Sequence, residues 1–208
     1  MPNPERPAEL TTTNRFLKRS FDIVFAVLGL YLTSWLILIA FLLAARDTGE
    51  SGFFRQERVG KDGRLFKIIK IRTMCSDSTI STTVTSAVDP RITCLGNFWR
   101  KTKIDELPQL INILLGQMSF VGPRPDVPGF ADRLQGADRI ILSVRPGITG
   151  PATLRFRQEE TLLAAQSDPE RYNREIIFPE KVRLNRKYIE NYSFWLDLKY
   201  IWRTVAGG

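Results

Sequence analysis

The longest uncharged stretch of the sequence constrains its fold most. Ile23 to Ala45 gives 23 consecutive residues without a charge, between Asp22 and Arg46. About 20 apolar residues cross a bilayer as a helix, so this segment is long enough to enter a membrane. A secretory signal peptide has a shorter apolar core of about 7–15 residues. The sequence therefore predicts a membrane helix, and a soluble helix buried on every face is the less usual alternative.

Basic residues flank this segment on both sides. They are Arg6, Arg15, Lys18 and Arg19 before it and Arg46, Arg55, Arg58, Lys61 and Arg64 after it. Basic flanks favour the cytoplasmic side of a membrane, so both ends favour the same side. A re-entrant helix, which bends and leaves by the face it entered, satisfies both ends. Gly29 and the Thr33-Ser34 pair are the only residues that favour a bend, so an ordinary span stays open as the alternative.

Composition excludes several kinds of chemistry. The 208 residues contain 30 Lys+Arg and 22 Asp+Glu, a net charge of +8, and no histidine. Ser-His-Asp and Cys-His nucleophile systems and zinc sites that contain histidine are therefore excluded. The two cysteines, Cys75 and Cys94, form no C-x-x-C pair, which favours reduced thiols in a reducing compartment. Any catalysis must use carboxylates, Lys, Arg, Tyr or an oxygen-ligated metal such as Mg²⁺.

The remaining sequence predicts an α+β fold. Two apolar stretches around Asp62-Gly63 predict a β-hairpin, and Ser76 to Ser86 predicts a loop. Thr102 to Leu115 predicts a helix, as do two C-terminal segments, 181–192 and 194–203. In the last segment, the i, i+7 pair Trp195 and Trp202 suits a membrane interface as well as a core.

The predicted organisation has three parts. Residues 1–13 are expected to form a disordered tail, residues 14–48 a membrane-inserted helix that is expected to be re-entrant, and residues 49–208 a small cytoplasmic, membrane-associated catalytic domain. That domain is expected to contain the β-hairpin and several amphipathic interfacial helices.

An acidic pair within a basic stretch is the strongest candidate for chemistry. Asp105 and Glu106 in a first helical turn would alone be read as capping groups. They follow Arg100 and Lys103, however, so the carboxylates lie among surplus positive charge. Adjacent carboxylates can share Mg²⁺ with phosphate oxygens. This combination suits phosphoryl transfer, in which a carboxylate can be the nucleophile.

Recognisable motifs occur in order in five stretches: Phe53 to Met74, Asp89 to Thr93, Ile104 to Asn112, Met118 to Pro125 and Arg145 to Gly150. Together they resemble the bacterial sugar transferase family, the monotopic polyprenyl-phosphate phosphoglycosyl transferases. The resemblance implies transfer of sugar 1-phosphate from a UDP-sugar to polyprenyl (undecaprenyl) phosphate, with release of UMP. It also implies a place on the cytoplasmic face of the bacterial inner membrane and a role in the first membrane step of surface glycan assembly.

The resemblance also implies residue roles. Asp105 matches the nucleophile that forms a covalent phosphosugar intermediate, and Glu106 matches an assisting acid/base or Mg²⁺-binding residue. Five basic residues match phosphate or substrate contacts of the family: Arg100, Lys70, Arg72, Arg124 and Arg145. The family's N-terminal helix is re-entrant and broken at Ser-Pro, whereas this sequence has Ser34-Trp35.

A membrane-tethered basic protein that binds nucleic acid or anionic lipid is the alternative from another class. The net charge of +8 suits both hypotheses. A pure polyanion binder gains nothing from two carboxylates within its basic stretch, so the sequence favours the enzyme and predicts no nucleic-acid partner. The expected partners are a UDP-sugar, polyprenyl phosphate and the lipid bilayer.

Overall fold

A computed structural model describes residues 12–76 and 89–207. Most of the predicted tail and the predicted loop from Ser76 to Ser86 lie outside these ranges. The helices are α1 (Thr12–Thr48), α2 (Cys94–Thr102), α3 (Gln109–Leu114), α4 (Pro151–Arg155), α5 (Glu159–Ala164), α6 (Pro169–Tyr172), α7 (Phe178–Glu190) and α8 (Phe194–Val205). The strands are β1 (Phe53–Val59), β2 (Leu65–Ile71), β3 (Ser119–Val121) and β4 (Gly147–Thr149). The predicted mixture of helices and strands is confirmed.

Helix α1 is one continuous α-helix, long and apolar enough to cross a membrane. It includes residues 12 and 13, which the sequence analysis placed in the tail. A single stripe of α1 is buried: Lys18, Asp22, Ala26, Ile37, Ala40 and Ala44. Most large apolar side chains on its other faces are exposed, among them Tyr31 and Trp35. Thr33 Oγ1 donates a hydrogen bond to the Gly29 carbonyl at 2.7 Å, and the helix continues without a break.

Both ends of α1 pack against the rest of the chain. Near its start, Lys18 Nζ donates to Val121 O at 2.8 Å and to Asp197 Oδ2. Near its end, the Phe41 ring lies 4.7 Å from the Phe53 ring, centroid to centroid. A Cβ added at Gly52 would lie 2.0 Å from the Phe41 carbonyl oxygen, so only glycine permits this approach. Helix α1 therefore lies along the rest of the protein as part of its core.

The predicted β-hairpin is present. Strands β1 and β2 pair antiparallel, from Phe53 opposite Ile71 to Val59 opposite Leu65. The turn between them is a short 3₁₀ turn in which Asp62 has a left-handed φ of 58°. Alternate residues Phe66 and Ile68 of β2 are buried against α1 and α3, and this face ends with Lys70 beside the acidic pair.

The predicted helix from Thr102 to Leu115 is interrupted. Helix α2 ends at Thr102, because Lys103 adopts a left-handed conformation with a φ of 60°. A 3₁₀ turn, Ile104–Glu106, follows. Pro108 has no N–H for an α-helical bond to Ile104 O, and Leu107 N donates to this carbonyl instead. Helix α3 then begins at Gln109, so the acidic pair lies in a tight turn before the helix and not in its first turn.

Two short parallel strands hold the segment that carries Arg124. Strand β3 pairs with β4, with Ser119 opposite Gly147 and Val121 opposite Thr149. A Cβ at Gly147 would lie 2.1 Å from Gly122 N, so the two backbones meet where a side chain does not fit. This crossing fixes the stiff loop that begins at Gly122.

The C-terminal helices are close to those predicted from the sequence. Helix α8 buries Asp197 on its inner side, whereas Trp195 and Trp202 are 78% and 70% exposed. The inner side faces a core cluster that includes Tyr188 of α7 and Val121 of β3. Helix α8 is therefore amphipathic, with two exposed tryptophans one above the other.

Candidate active site

The acidic pair is buried in the 3₁₀ turn before α3. Asp105 is 6% exposed and Glu106 is 9% exposed. The left-handed residue Lys103 and Pro108 bracket this turn. Burying two adjacent carboxylates is unfavourable unless cations or hydrogen-bond donors compensate them. The partners of the two carboxylates therefore indicate what each can do.

Glu106 is compensated by two cations. Its Oε1 accepts from Lys70 Nζ at 3.0 Å and from Arg124 Nη2 at 2.5 Å. Burial raises the pKa of Glu106, but the charges of Arg124 and Lys70 outweigh it and hold the pKa well below its usual value. Glu106 is thus an ionised anchor that joins the end of β2 to the loop after β3.

Asp105 has a different environment. Its Oδ1 is buried and has no hydrogen-bond partner among the described residues. Burial raises the pKa of Asp105, and the charge of Lys70 only partly opposes this shift. A buried carboxylate oxygen without a donor is not compensated for the loss of water. Asp105 is therefore the less compensated carboxylate of the pair.

Arg100 lies in the last turn of α2 and is a further cation near Asp105. Its charge acts on Asp105, and its Nη1 lies 3.5 Å from Thr73 Oγ1. Its Nη2 forms an ion pair with Glu160 of α5. The structure thus gathers four of the sequence-predicted basic and acidic positions around Asp105: Glu106, Lys70, Arg124 and Arg100.

The donor set fits Mg²⁺ in part. Two adjacent carboxylates, one with an unpartnered buried oxygen, are suitable oxygen ligands. Within residues 12–76 and 89–207, no group of three or more His, Cys, Asp or Glu side chains could hold a metal ion. A metal ion here would therefore need substrate or water oxygens to complete its coordination.

A comparison with protein families identifies the family of the chain. The model of the family described as bacterial sugar transferase matches residues 13–207, nearly the whole chain. The chain belongs to the bacterial sugar transferase family.

Individual relatives are similar along most of this chain. The UDP-glucose:undecaprenyl-phosphate glucose-1-phosphate transferase of Escherichia coli (strain K12) is 36% identical over 203 residues, which cover 96% of this chain and 41% of the relative. The exopolysaccharide production protein ExoY of Sinorhizobium fredii (strain NBRC 101917 / NGR234) is 31% identical over 218 residues, 97% of this chain and 89% of the relative. The chain spans about two fifths of the length of the Escherichia coli relative and of a UDP-galactose-lipid carrier transferase from Erwinia amylovora.

In this member of the sugar transferase family, two predicted site residues, Arg72 and Arg145, contact residues other than the acidic pair. Arg72 Nε donates to Ser51 O at 2.7 Å, and its Nη1 lies 3.2 Å from Glu50 Oε2. Arg145 Nε donates to Gly116 O at 2.7 Å, just past the C-terminal end of α3. The acidic pair precedes the opposite end of α3. Arg145 therefore contacts the end of α3 that is opposite the acidic pair.

Sequence reasoning missed a second group of charged residues next to the site. Arg58 of β1 has a buried Nε without a partner among the described residues, and burial lowers its pKa to about 10. Burial also raises the pKa of Asp126 to about 6, although Lys181 and Arg58 oppose this shift. Only the position of Asp126, two residues after Arg124, could have indicated it from the sequence. Glu159 and Glu160, at the start of α5, lie in no sequence motif that would have placed them near the site.

Proposed function

We propose that this protein transfers sugar 1-phosphate from a UDP-sugar to polyprenyl phosphate. The observation that carries the proposal is the difference between the hydrogen-bond partners of the two adjacent carboxylates. Glu106 is held by Lys70 and Arg124, and Asp105 keeps a buried oxygen without a donor. Two relatives are named as transferases of glucose 1-phosphate and of N-acetylgalactosamine phosphate to undecaprenyl phosphate. Their names support the proposed class of reaction for this protein.

In the proposed reaction, Asp105 acts twice on the same phosphorus. Its carboxylate attacks the β-phosphorus of the UDP-sugar, the bond between that phosphorus and the bridging oxygen breaks, and UMP leaves with the electron pair. An oxygen of polyprenyl phosphate then attacks the phosphosugar on Asp105. The bond from phosphorus to Asp105 breaks, which gives polyprenyl-diphosphate-sugar and the free carboxylate.

The surrounding residues provide charge and position for these steps. Lys70, Arg124 and Arg100 surround the acidic pair with positive charge, where negative charge collects on the phosphoryl oxygens. Glu106 keeps Lys70 and Arg124 in place. Asp105 and Glu106 are the proposed ligands for Mg²⁺, which would neutralise the diphosphate when bound.

We propose that α1, as one unbroken helix, enters lipid of the bacterial inner membrane by its exposed apolar faces and that both of its ends stay on the cytoplasmic side. Lys18 near its start and Phe41 near its end both contact the remainder of the protein, which supports one location for both ends. The exposed apolar faces of α1 would then lie in lipid, and Trp195 and Trp202 of α8 would reach the headgroup layer. UDP-sugars are cytoplasmic metabolites, so the proposed active site faces their source.

The activity is tested by incubating the purified protein with undecaprenyl phosphate, Mg²⁺ and a panel of UDP-sugars and measuring UMP release. Release with at least one sugar, together with a lipid-linked diphosphate sugar, is expected. A broad panel without any release would refute the proposal and favour the alternative of a membrane-tethered protein that binds anions.

The topology is tested with single cysteines at Thr13 and Ser51, which are exposed beyond either end of the apolar run. The native thiols Cys75 and Cys94 are exposed and are first replaced by serine. Labelling of both new cysteines from the cytoplasmic side is expected. Labelling of the two from opposite sides would show a helix that spans the membrane.

A further inference from the structure

Two consecutive acids at the start of α5 contact cations on two different elements. Glu159 Oε1 accepts from Lys181 Nζ of α7 at 2.7 Å. Glu160 forms an ion pair with Arg100 Nη2 of α2. Helix α5 therefore connects the C-terminal helices to the rim of the acidic pair, and the sequence analysis assigned no role to either acid.

The two ion pairs differ in exposure. The side chains of Lys181 and Glu159 are 17% and 25% exposed, so this pair is largely shielded and holds α5 against α7. The side chain of Arg100 is 19% exposed, whereas that of Glu160 is 47% exposed. Glu160 thus reaches Arg100 from the solvent side and can return to water without leaving a buried charge behind.

Arg100 is also one of the cations near Asp105 that an incoming anion can contact. Its charge acts on the Asp105 carboxylate, and its other contacts, Thr73 Oγ1 and Met74 Sδ, are uncharged. A diphosphate brought to Asp105 carries more negative charge than one carboxylate and accepts two parallel hydrogen bonds from a guanidinium group. The Glu160 carboxylate and the donor diphosphate therefore compete for the same cation.

We propose that Glu160 is a positioning residue that holds Arg100 in the empty site and is displaced by the diphosphate of the nucleotide. The inference rests on the proposed function and extends it, because it makes Glu160 a determinant of nucleotide affinity. The Glu159–Lys181 pair stays formed during the exchange, so only the Glu160 side chain moves. Displacing the exposed carboxylate weakens nucleotide binding by a small factor, since half-exposed ion pairs contribute little.

The test compares E160Q with E175Q. Both variants lose one negative charge, but Glu175 pairs with Arg171 in an exposed i, i+4 contact. Calorimetric titration with UDP is expected to show about two- to five-fold tighter binding by E160Q and unchanged binding by E175Q. The KM for the UDP-sugar falls by a similar factor in E160Q, and kcat does not rise, since only ground-state competition is removed. E160D, which keeps a carboxylate, is expected to restore the wild-type Kd for UDP at least in part.

The outcomes separate this inference from the proposed function. Weaker binding of UDP by E160Q, or equal binding by E160Q and E175Q with sugar-phosphate transfer intact, would overturn the role of Glu160 alone. If neither the wild type nor any variant binds UDP and no UMP is released from a UDP-sugar, both the proposed function and this inference fail.

Discussion

Two buried aspartates in this protein have opposite surroundings. Asp197 of α8 is 3% exposed, and both of its oxygens accept hydrogen bonds: Oδ1 from Tyr188, and Oδ2 from Lys18 and Tyr192. Asp105 is 6% exposed and keeps Oδ1 without a partner among the described residues. Burial alone therefore does not show how well a carboxylate is compensated, whereas the number of donors around it does.

The Asp197 cluster and the acidic pair also join different elements. The Asp197 cluster ties the start of α1 to α8 and, through Lys18 and Val121 O, to β3. The acidic pair joins β2 and the loop after β3 through Glu106 alone. The first cluster thus joins helices through both oxygens of Asp197, and the acidic pair leaves one oxygen of Asp105 without a donor among the described residues.

The largest expected effect is the loss of transfer in Asp105→Asn. We expect turnover to fall by about 10³-fold or more, because an amide is a poor nucleophile, and the covalent phosphosugar adduct to disappear. UMP release and mass spectrometry of the trapped protein measure these losses. Turnover at the wild-type rate by Asp105→Asn would contradict the proposed mechanism.

The same variant is expected to be more stable than the wild type at neutral pH. The folded-state pKa of Asp105 is raised, so the fold favours the protonated form, and this contribution is lost as pH rises through the folded-state pKa. Asparagine removes the buried charge. The gain in melting temperature should shrink toward pH 3.8, the ordinary pKa of aspartate, and disappear below it. A gain that is equal at all pH values would contradict the raised pKa.

Replacement of Arg124 by methionine is expected to reduce turnover by about 10²–10³-fold, since it removes a cation from the phosphoryl site and one of the two partners of Glu106. Arg171→Met is the matched control, because Arg171 is exposed and pairs only with Glu175 among the described contacts. Steady-state kinetics on both variants checks the difference. Equal losses in the two variants would place Arg124 outside the site.

For Asp197→Asn the expected loss is in stability. The change removes the charge that is paired with the buried Lys18, and loss of one partner of a buried ion pair typically costs about 3–5 kcal/mol of folding free energy. Turnover per folded molecule should stay within about ten-fold of the wild type. Denaturant unfolding in detergent, with activity normalised to folded protein, measures both quantities. A full loss of turnover with unchanged stability would make Asp197 part of the reaction and remove its contrast with Asp105.

The smallest expected effect is on the pH profile. Asp105 must be ionised to attack phosphorus, and its pKa is raised, so kcat/KM should fall on the acid side at a pH above the ordinary value of 3.8. Glu106 stays ionised through this range because Arg124 and Lys70 lower its pKa. A profile without an acid limb above pH 3.8 would contradict this assignment.

The sequence predicted the elements better than their connections. The apolar run predicted α1, and Asp62-Gly63 predicted the hairpin, because both signals are local. The break at Lys103 was not predicted, because nothing in the local sequence indicates that a lysine adopts a left-handed conformation. In the structure, Lys103 lies between α2 and the 3₁₀ turn that precedes Pro108. The acidic pair was found from its basic neighbours in the sequence.

The partners of the acidic pair were harder to predict. The resemblance identified Lys70 and Arg124, which contact Glu106, but it did not place Arg145 at the far end of α3. Glu160 meets Arg100 across 60 residues of sequence, and no local pattern reports such a distant contact. Lys18 and Asp22 looked like the flank of a membrane segment, and the structure buries both against β3.

The buried stripe of α1 limits how the protein can be shortened. Ala26 and Ala40 are 0% exposed, and each belongs to a different apolar cluster that includes residues from beyond α1. A truncated chain that begins after residue 48 would expose both clusters and leave Asp197 without Lys18. The segment that would hold the protein in lipid also completes its interior. Removing it to make the chain water-soluble would therefore also remove part of the packed interior.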